Sequence, residues 1–152
     1  MGWAFKVTHQ VQTANNVTTN VAWTIPTGLA PGEIYFDYLV IAEGRAKITF
    51  YEDVVITVNT GAPTVPICMN RQSPRVSCIS AAYANATINT VNATQLDVEV
   101  IGNAGQEGGR ASPMFYWILA RGKSYAITVQ NTSGAQANIT IKLEWGRNTF
   151  TE

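Results

Sequence analysis

His9 is the only histidine in this chain of 152 residues, so an imidazole base or a histidine-rich metal site would rest on one side chain. It alternates in phase with Val7 and Val11, which reads as a half-buried histidine on a strand. Cys68 and Cys78 are the only cysteines and lack a partner at metal-ligand spacing. Synthesis in a reducing compartment favours two free thiols over a closed loop between them. Two carboxylate pairs come next: Glu52 beside Asp53, and Asp97 with Glu99 on one face of an expected strand. Glycoside hydrolysis needs two such groups roughly 5 to 10 Å apart in a cleft. The run Asp97-Val98-Glu99-Val100-Ile101 instead reads as a wet face alternating with a core face. Gly102 to Arg110 is glycine-rich like a phosphate-cradling loop, but it lacks the lysine and the following helix that such a site requires. Trp3, Trp23, Trp117 and Trp145 could stack on a sugar; Trp145 is in phase with Ile141 and Leu143 and is expected in the core, with Trp3 and Trp23 left open. The expectation is a protein that is not an enzyme, with no catalytic residue, cofactor or metal.

The elements that carry these residues read as strands throughout. Thr, Val and Ile are β-branched and fit a pleated surface. Alternating runs fall at about 3–12, 17–25, 34–42, 46–58, 76–82, 95–101, 114–120, 124–130 and 138–145. Turn formers separate them, among them Pro26-Thr27-Gly28, Asn59-Thr60-Gly61 and Ser133-Gly134. Such spacing predicts a sandwich or barrel. The segment YAITVQNTSGAQANITIKLEW, residues 125–145, reads as a hairpin with one apolar face: Tyr125, Ile127 and Val129, then Ile139, Ile141, Leu143 and Trp145. The long connections, 59–75 with its three prolines and the glycine-rich 102–113, are candidates for contact with other molecules.

Composition narrows the function classes. Charged residues make up 13% of the chain and the net charge is zero, so the basic patch that nucleic-acid binding needs is missing. No apolar run approaches the roughly 20 residues of a membrane helix. The start, MGWAFKVTHQ, has no basic segment leading into an apolar core, so synthesis in the cytoplasm is expected. The glycosylation sequons at Asn16, Asn85, Asn92, Asn131 and Asn138 are then a by-product of abundant Asn and Thr.

From Lys47 onward the order of motifs resembles the β-sandwich decoration (cement) proteins of tailed-bacteriophage heads. The residues that carry the resemblance are Ile48-Thr49-Phe50-Tyr51-Glu52, Asn70-Arg71-Gln72-Ser73-Pro74, Gly105 to Arg110, Trp117-Ile118-Leu119, Lys123-Ser124-Tyr125, Asn131-Thr132-Ser133-Gly134 and Glu144-Trp145. Trp23-Thr24-Ile25-Pro26 is similar to the family's approach to its first core strands. Asp53, Tyr116 and the extension Gly146 to Glu152 depart from the pattern.

The resemblance implies an all-β fold: one antiparallel two-sheet sandwich, jelly-roll-like, over residues 1–152. It implies a structural virion protein, made in the host bacterial cytoplasm, that sits on the capsid exterior. Its partners would be the major capsid protein and itself, as dimer or trimer, with neither nucleic acid nor membrane involved. Alternatives are another virion component, such as a head fibre base or tail protein, or a carbohydrate-binding module. The terminal segments, about 1–15 and 146–152, are expected against neighbouring subunits, so deleting residues 1–12 is expected to leave a folded chain with weakened attachment. Candidate partner-binding residues are Trp3, Asn70, Arg71, Arg75, Arg110 and Arg147.

Overall fold

The computed structural model describes residues 3–28, 33–57, 60–69, 71–72, 77, 79, 81–102, 109–111 and 116–148. The first strands in chain order are β1 (Trp3–Thr13), β2 (Thr18–Thr24), β3 (Glu33–Ala42), β4 (Ala46–Glu52) and β5 (Val55–Ile56). Next come β6 (Ala62–Thr64), β7 (Ile67–Cys68), β8 (Ala82–Ala84), β9 (Ile88–Asn89) and β10 (Thr94–Ile101). The last are β11 (Gly109–Ala111), β12 (Trp117–Leu119), β13 (Ser124–Asn131) and β14 (Ala137–Asn148).

Two antiparallel sheets pack face to face. Sheet I runs β11-β3-β14-β1-β7, with β12 also on β3; sheet II runs β10-β4-β13-β2-β8-β6. Along the chain, β1, β2, β3 and β4 alternate between the sheets, as do β13 and β14. The quartets β11-β3-β14-β1 and β10-β4-β13-β2 are those of a jelly roll, in which two Greek keys close over one core. The expected all-β sandwich is what forms. The stretch between β4 and β10 adds β7 beside β1 and β8-β6 beside β2, while β5 pairs with β9 outside both sheets.

The core follows from alternation. Phe5 and Val7 of β1, Phe36, Tyr38 and Val40 of β3, and Ile139, Ile141, Leu143 and Trp145 of β14 meet Val21, Trp23, Ile48, Phe50, Tyr125, Ile127 and Val129 of sheet II. Its centre is aromatic: Trp23 lies 4.9 Å from Phe36, and Trp117 meets Phe50 edge-on at 5.4 Å. Trp145 is a core residue, as its phase predicts, and Trp23 is fully buried too, which removes it from any sugar platform. Cys68 is buried; its expected thiol companion, Cys78, lies outside the described residues. A second, smaller apolar cluster covers the outside of sheet II. There Ala22 and Ala126, too small to stand proud of the strands, let Val54 and Ala86 close down on the sheet.

Four sequence expectations change. The segment 125–145 is no hairpin: β13 belongs to sheet II and β14 to sheet I, so their apolar faces look at each other across the core. β4 stops at Glu52, because Asp53 adopts a left-handed backbone (φ 62°) that breaks the ladder of the expected 46–58 strand. In place of a strand at 76–82, β8 forms at Ala82–Ala84; residues 76, 78 and 80 lie outside the described set. In β10 the register shifts between Gln95 and Asp97, a bulge that pairs Asp97 with Phe50 and Glu99 with Ile48. The slip puts the carboxylate phase inward and leaves Val98 44% and Val100 51% exposed, the reverse of the expected faces.

The inter-sheet arches at one end of the sandwich hold one another. Asn131 is buried; its Nδ2 donates to the carbonyls of Thr13 (2.8 Å) and Ala135 (2.7 Å), and its Oδ1 accepts from the Ser133 N–H (3.0 Å). Glu43 accepts from both the backbone and the side-chain amide of Asn138 at 2.9 Å. A Cβ on Gly44 would stand 2.5 Å from Ser133 Cβ, so only glycine lets these arches close. Asn131 is buried, so its side-chain amide is closed to glycosylation.

Candidate docking surface

Three of the four paired carboxylates, Glu52, Asp53 and Asp97, make structural bonds. Tyr125 donates its phenol proton to Glu52 Oε2 at 2.7 Å and accepts the Ala120 N–H at 2.8 Å. Burial, and then the bond to Glu52, push the Tyr125 phenol well above its ordinary range, so it stays a donor at neutral pH. Lys123 Nζ reaches Asp53 Oδ2 at 2.9 Å and Glu52 Oε1 at 3.2 Å. Together they join the end of β4 to the turn before β13. Tyr38, raised in the same way by burial and then by the charge of Asp97, donates to Asp97 Oδ2 at 3.2 Å. That bond anchors edge strand β10, and its inward-phase carboxylates oppose pairing with another edge.

His9 is the half-buried strand histidine expected. Its Nε2 lies 3.1 Å from Thr19 Oγ1, which itself donates to Asn85 Oδ1 at 2.5 Å. With the hydroxyl proton committed to Asn85, the hydroxyl is left to accept, so Nε2 carries the proton. The relay links β1, β2 and the turn after β8, and burial lowers the pKa of His9. Among the described residues, no helix is long and apolar enough to cross a membrane.

The candidate partner residues separate. Trp3 of β1 and Arg147 of β14 are paired in register at one end of sheet I. Arg71 is exposed and follows β7, whose Cys68 pairs with Phe5, so it belongs to that end as well. Arg110 pairs with Ile41, seven positions along β3 from the Ile34 that faces Arg147, about 23 Å away. Asn70 and Arg75 lie outside the described residues.

Alternation along the chain does not reveal the surface that the topology assembles beside Trp3 and Arg147. On the outer face of sheet I, Gly146 lies between Tyr35 of β3 and Ala4 of β1. The two small residues leave a hollow of about 410 Å³, walled by Tyr35, Met69 and Tyr116. Tyr116 is 71% exposed, and Ile118, 57% exposed, pairs beside Tyr35. Ile67 and Ile41 are exposed farther out on the same face. In the next row Glu144 stands opposite Asp37 on one side and Lys6 on the other. Asp37 Oδ1 accepts the Tyr38 N–H at 2.7 Å, and burial raises the pKa of its carboxyl against the pull of that bond. Among the described residues neither Asp37 nor Glu144 forms an ion pair.

A different groove of about 450 Å³ crosses the outer face of sheet II. Thr18, Asn20, Thr128, Gln130 and Lys47 line it, with Tyr51 at its wall. Asn20 clamps that wall, donating to the Ala86 carbonyl (2.9 Å) and accepting the Ala86 N–H (3.1 Å). Compared with known proteins, the chain matches no family model and no curated protein sequence.

Proposed function

We propose that the protein is a noncatalytic structural component of a bacteriophage virion, a decoration protein that binds the capsid exterior and ties neighbouring major capsid subunits together. The observation that carries the reading is the outer face of sheet I, where Tyr116 and Met69 stay exposed at one hollow and Ile118 and Ile67 are exposed on the same face. Exposed apolar clusters of this kind mark protein-binding faces. The order of motifs from Lys47 to Trp145 supports it, and so does the jelly roll, an architecture that capsid proteins share with lectins and enzymes and that alone fixes no function. A protein that binds the assembled shell and not its free subunits stabilises the shell by mass action. Self-association as a dimer or trimer adds avidity across a repeating lattice. The low charge suits contacts that tolerate salt.

Sedimentation with undecorated capsids tests the proposal. The protein should pellet with whole capsids at a saturating copy number in the hundreds, as lattice-wide binding requires. Arg71→Ala should weaken attachment without lowering the melting temperature. A copy number of only a few would point to a fibre base or tail part, and absence from the pellet would refute shell binding. The groove on sheet II favours a second reading, a carbohydrate-binding module, because hydroxyls and amides beside Tyr51 suit a neutral sugar. Binding on a glycan panel that is lost in Tyr51→Ala would select it.

A further inference from the structure

From the hollow on sheet I we infer that the protein docks a partner protein by taking in one projecting basic side chain, an arginine above all. Its stem lies over Ala4 and Gly146 and its head lies between Asp37 and Glu144. Three observations carry this. First, like charges directly opposite on neighbouring strands destabilise a sheet, and Asp37 faces Glu144 in register. Lys6 is the cross-strand neighbour of Glu144 on its other side and forms no ion pair with it among the described residues. A cation between the two carboxylates would turn that repulsion into attraction. Second, the hollow is apolar next to the charge. Tyr35, Met69 and Tyr116 wall it, so a long aliphatic stem is covered while the head meets the acids. The exposed Tyr116 ring at the rim also offers a face to a guanidinium. Third, the floor is built from residues without bulk, which makes space for an incoming group.

A planar guanidinium can bond two carboxylates at once, which an ammonium does less well. A second copy of β14 laid on the same face would bring another Glu144 toward this pair, so the charge pattern favours a different protein. The inference deepens the shell-binding reading and rests on it only for the identity of that partner.

Two measurements separate the two ideas. In the first, the isotope-labelled protein is titrated with acetyl-Gly-Arg-Gly-amide and, as control, with the same peptide carrying citrulline. The arginine peptide should give saturable amide shifts at Tyr35, Asp37 and Gly146, and the neutral peptide none. D37N/E144Q should abolish the shifts while melting no lower than wild type, because the repulsion is gone. Tyr116→Ser, at an exposed wall position, should weaken them and gives a second variant. No saturable shift in the wild type, or equal shifts with citrulline, overturns the inference. In the second, D37N/E144Q should bind undecorated capsids about tenfold more weakly or worse, the loss expected for a charge-assisted contact. Unchanged attachment overturns the proposed use of the hollow on the shell. If the wild type itself fails to pellet, the shell reading falls, and the peptide titration alone decides for or against the basic-side-chain site.

Discussion

At the scale of residues, buried polar groups do most to make the fold specific. Asn131 satisfies two carbonyls and one N–H from three positions along the chain, with no water needed. Asn131→Ala leaves the buried Thr13 carbonyl without its donor, and such an orphan costs about 1 to 3 kcal/mol. Urea unfolding should therefore show a loss of about 1 to 3 kcal/mol, whereas Asn138→Ala, whose bonds to Glu43 are exposed, should lose less. His9 gives a pH signature. Its folded pKa lies below the ordinary 6.5 because burial disfavours the imidazolium. As the pH falls through about 6.5, the unfolded chain takes up the proton before the folded one, so stability is full above that value and declines below it. Between about pH 7 and 5 the melting temperature should drop, and His9→Gln should flatten the decline. A slope unchanged in the variant would assign the effect to other groups.

At the scale of elements, alternation decides which substitutions matter. Ile141 and Leu143 are fully buried, while Thr140 between Ile41 and Gln10 looks outward. Leu143→Ala or Ile141→Ala should cost about 2 to 5 kcal/mol in denaturant titrations, and Thr140→Ala about 0.5 or less. Equal losses at all three positions would contradict the described faces. The N-terminal strand overturns the expectation that residues 1–12 can be removed. β1 is an interior strand, paired with β14 along its whole length and with β7 on its other side. It also supplies Phe5 and Val7 to the core. Deleting residues 1–12 should abolish the cooperative thermal transition seen by circular dichroism, because the cut opens the core and strips β14 of a neighbour.

At the scale of the whole molecule, the jelly roll explains why function cannot be sought along one stretch of chain. The hollow draws on β1, β3 and β14 and on the segments beside β7 and β12, which lie far apart in sequence and meet only because sheet I interleaves them. Among the described residues the same weave leaves four sheet edges. β7, β11 with β12, and β6 are two- or three-residue strands, too short to template another chain. β10 is longer, at eight residues, and there the bulge and the inward-phase Asp97 and Glu99 serve instead. The stretch between β4 and β10 lays a second apolar cluster over part of the outer face of sheet II, and among the described residues no such cluster lies on the outer face of sheet I.

The sequence by itself determined the strand class, the inner and outer faces of β13 and β14, the phase of His9 with Val7 on β1, and the core place of Trp145. Period-two alternation is a local property, and burial enforces it wherever both sheets are long. Tertiary structure alone decided which strands pair. The residues 125–145 alternate identically whether they fold back as a hairpin or cross between sheets, and only the need to close one core over two faces selects the arch. It also decided the faces of β10, because one extra residue at the bulge inverts every side chain after it. The short strands between β4 and β10 have no period to read; long-range pairing holds them. The candidate partner residues show the same division. Arg71 could be noticed as a cation in a long loop and Arg147 as one near the chain end, but no spacing along the chain predicts that Asp37 and Glu144 stand face to face. That juxtaposition exists only once β3 and β14 lie side by side.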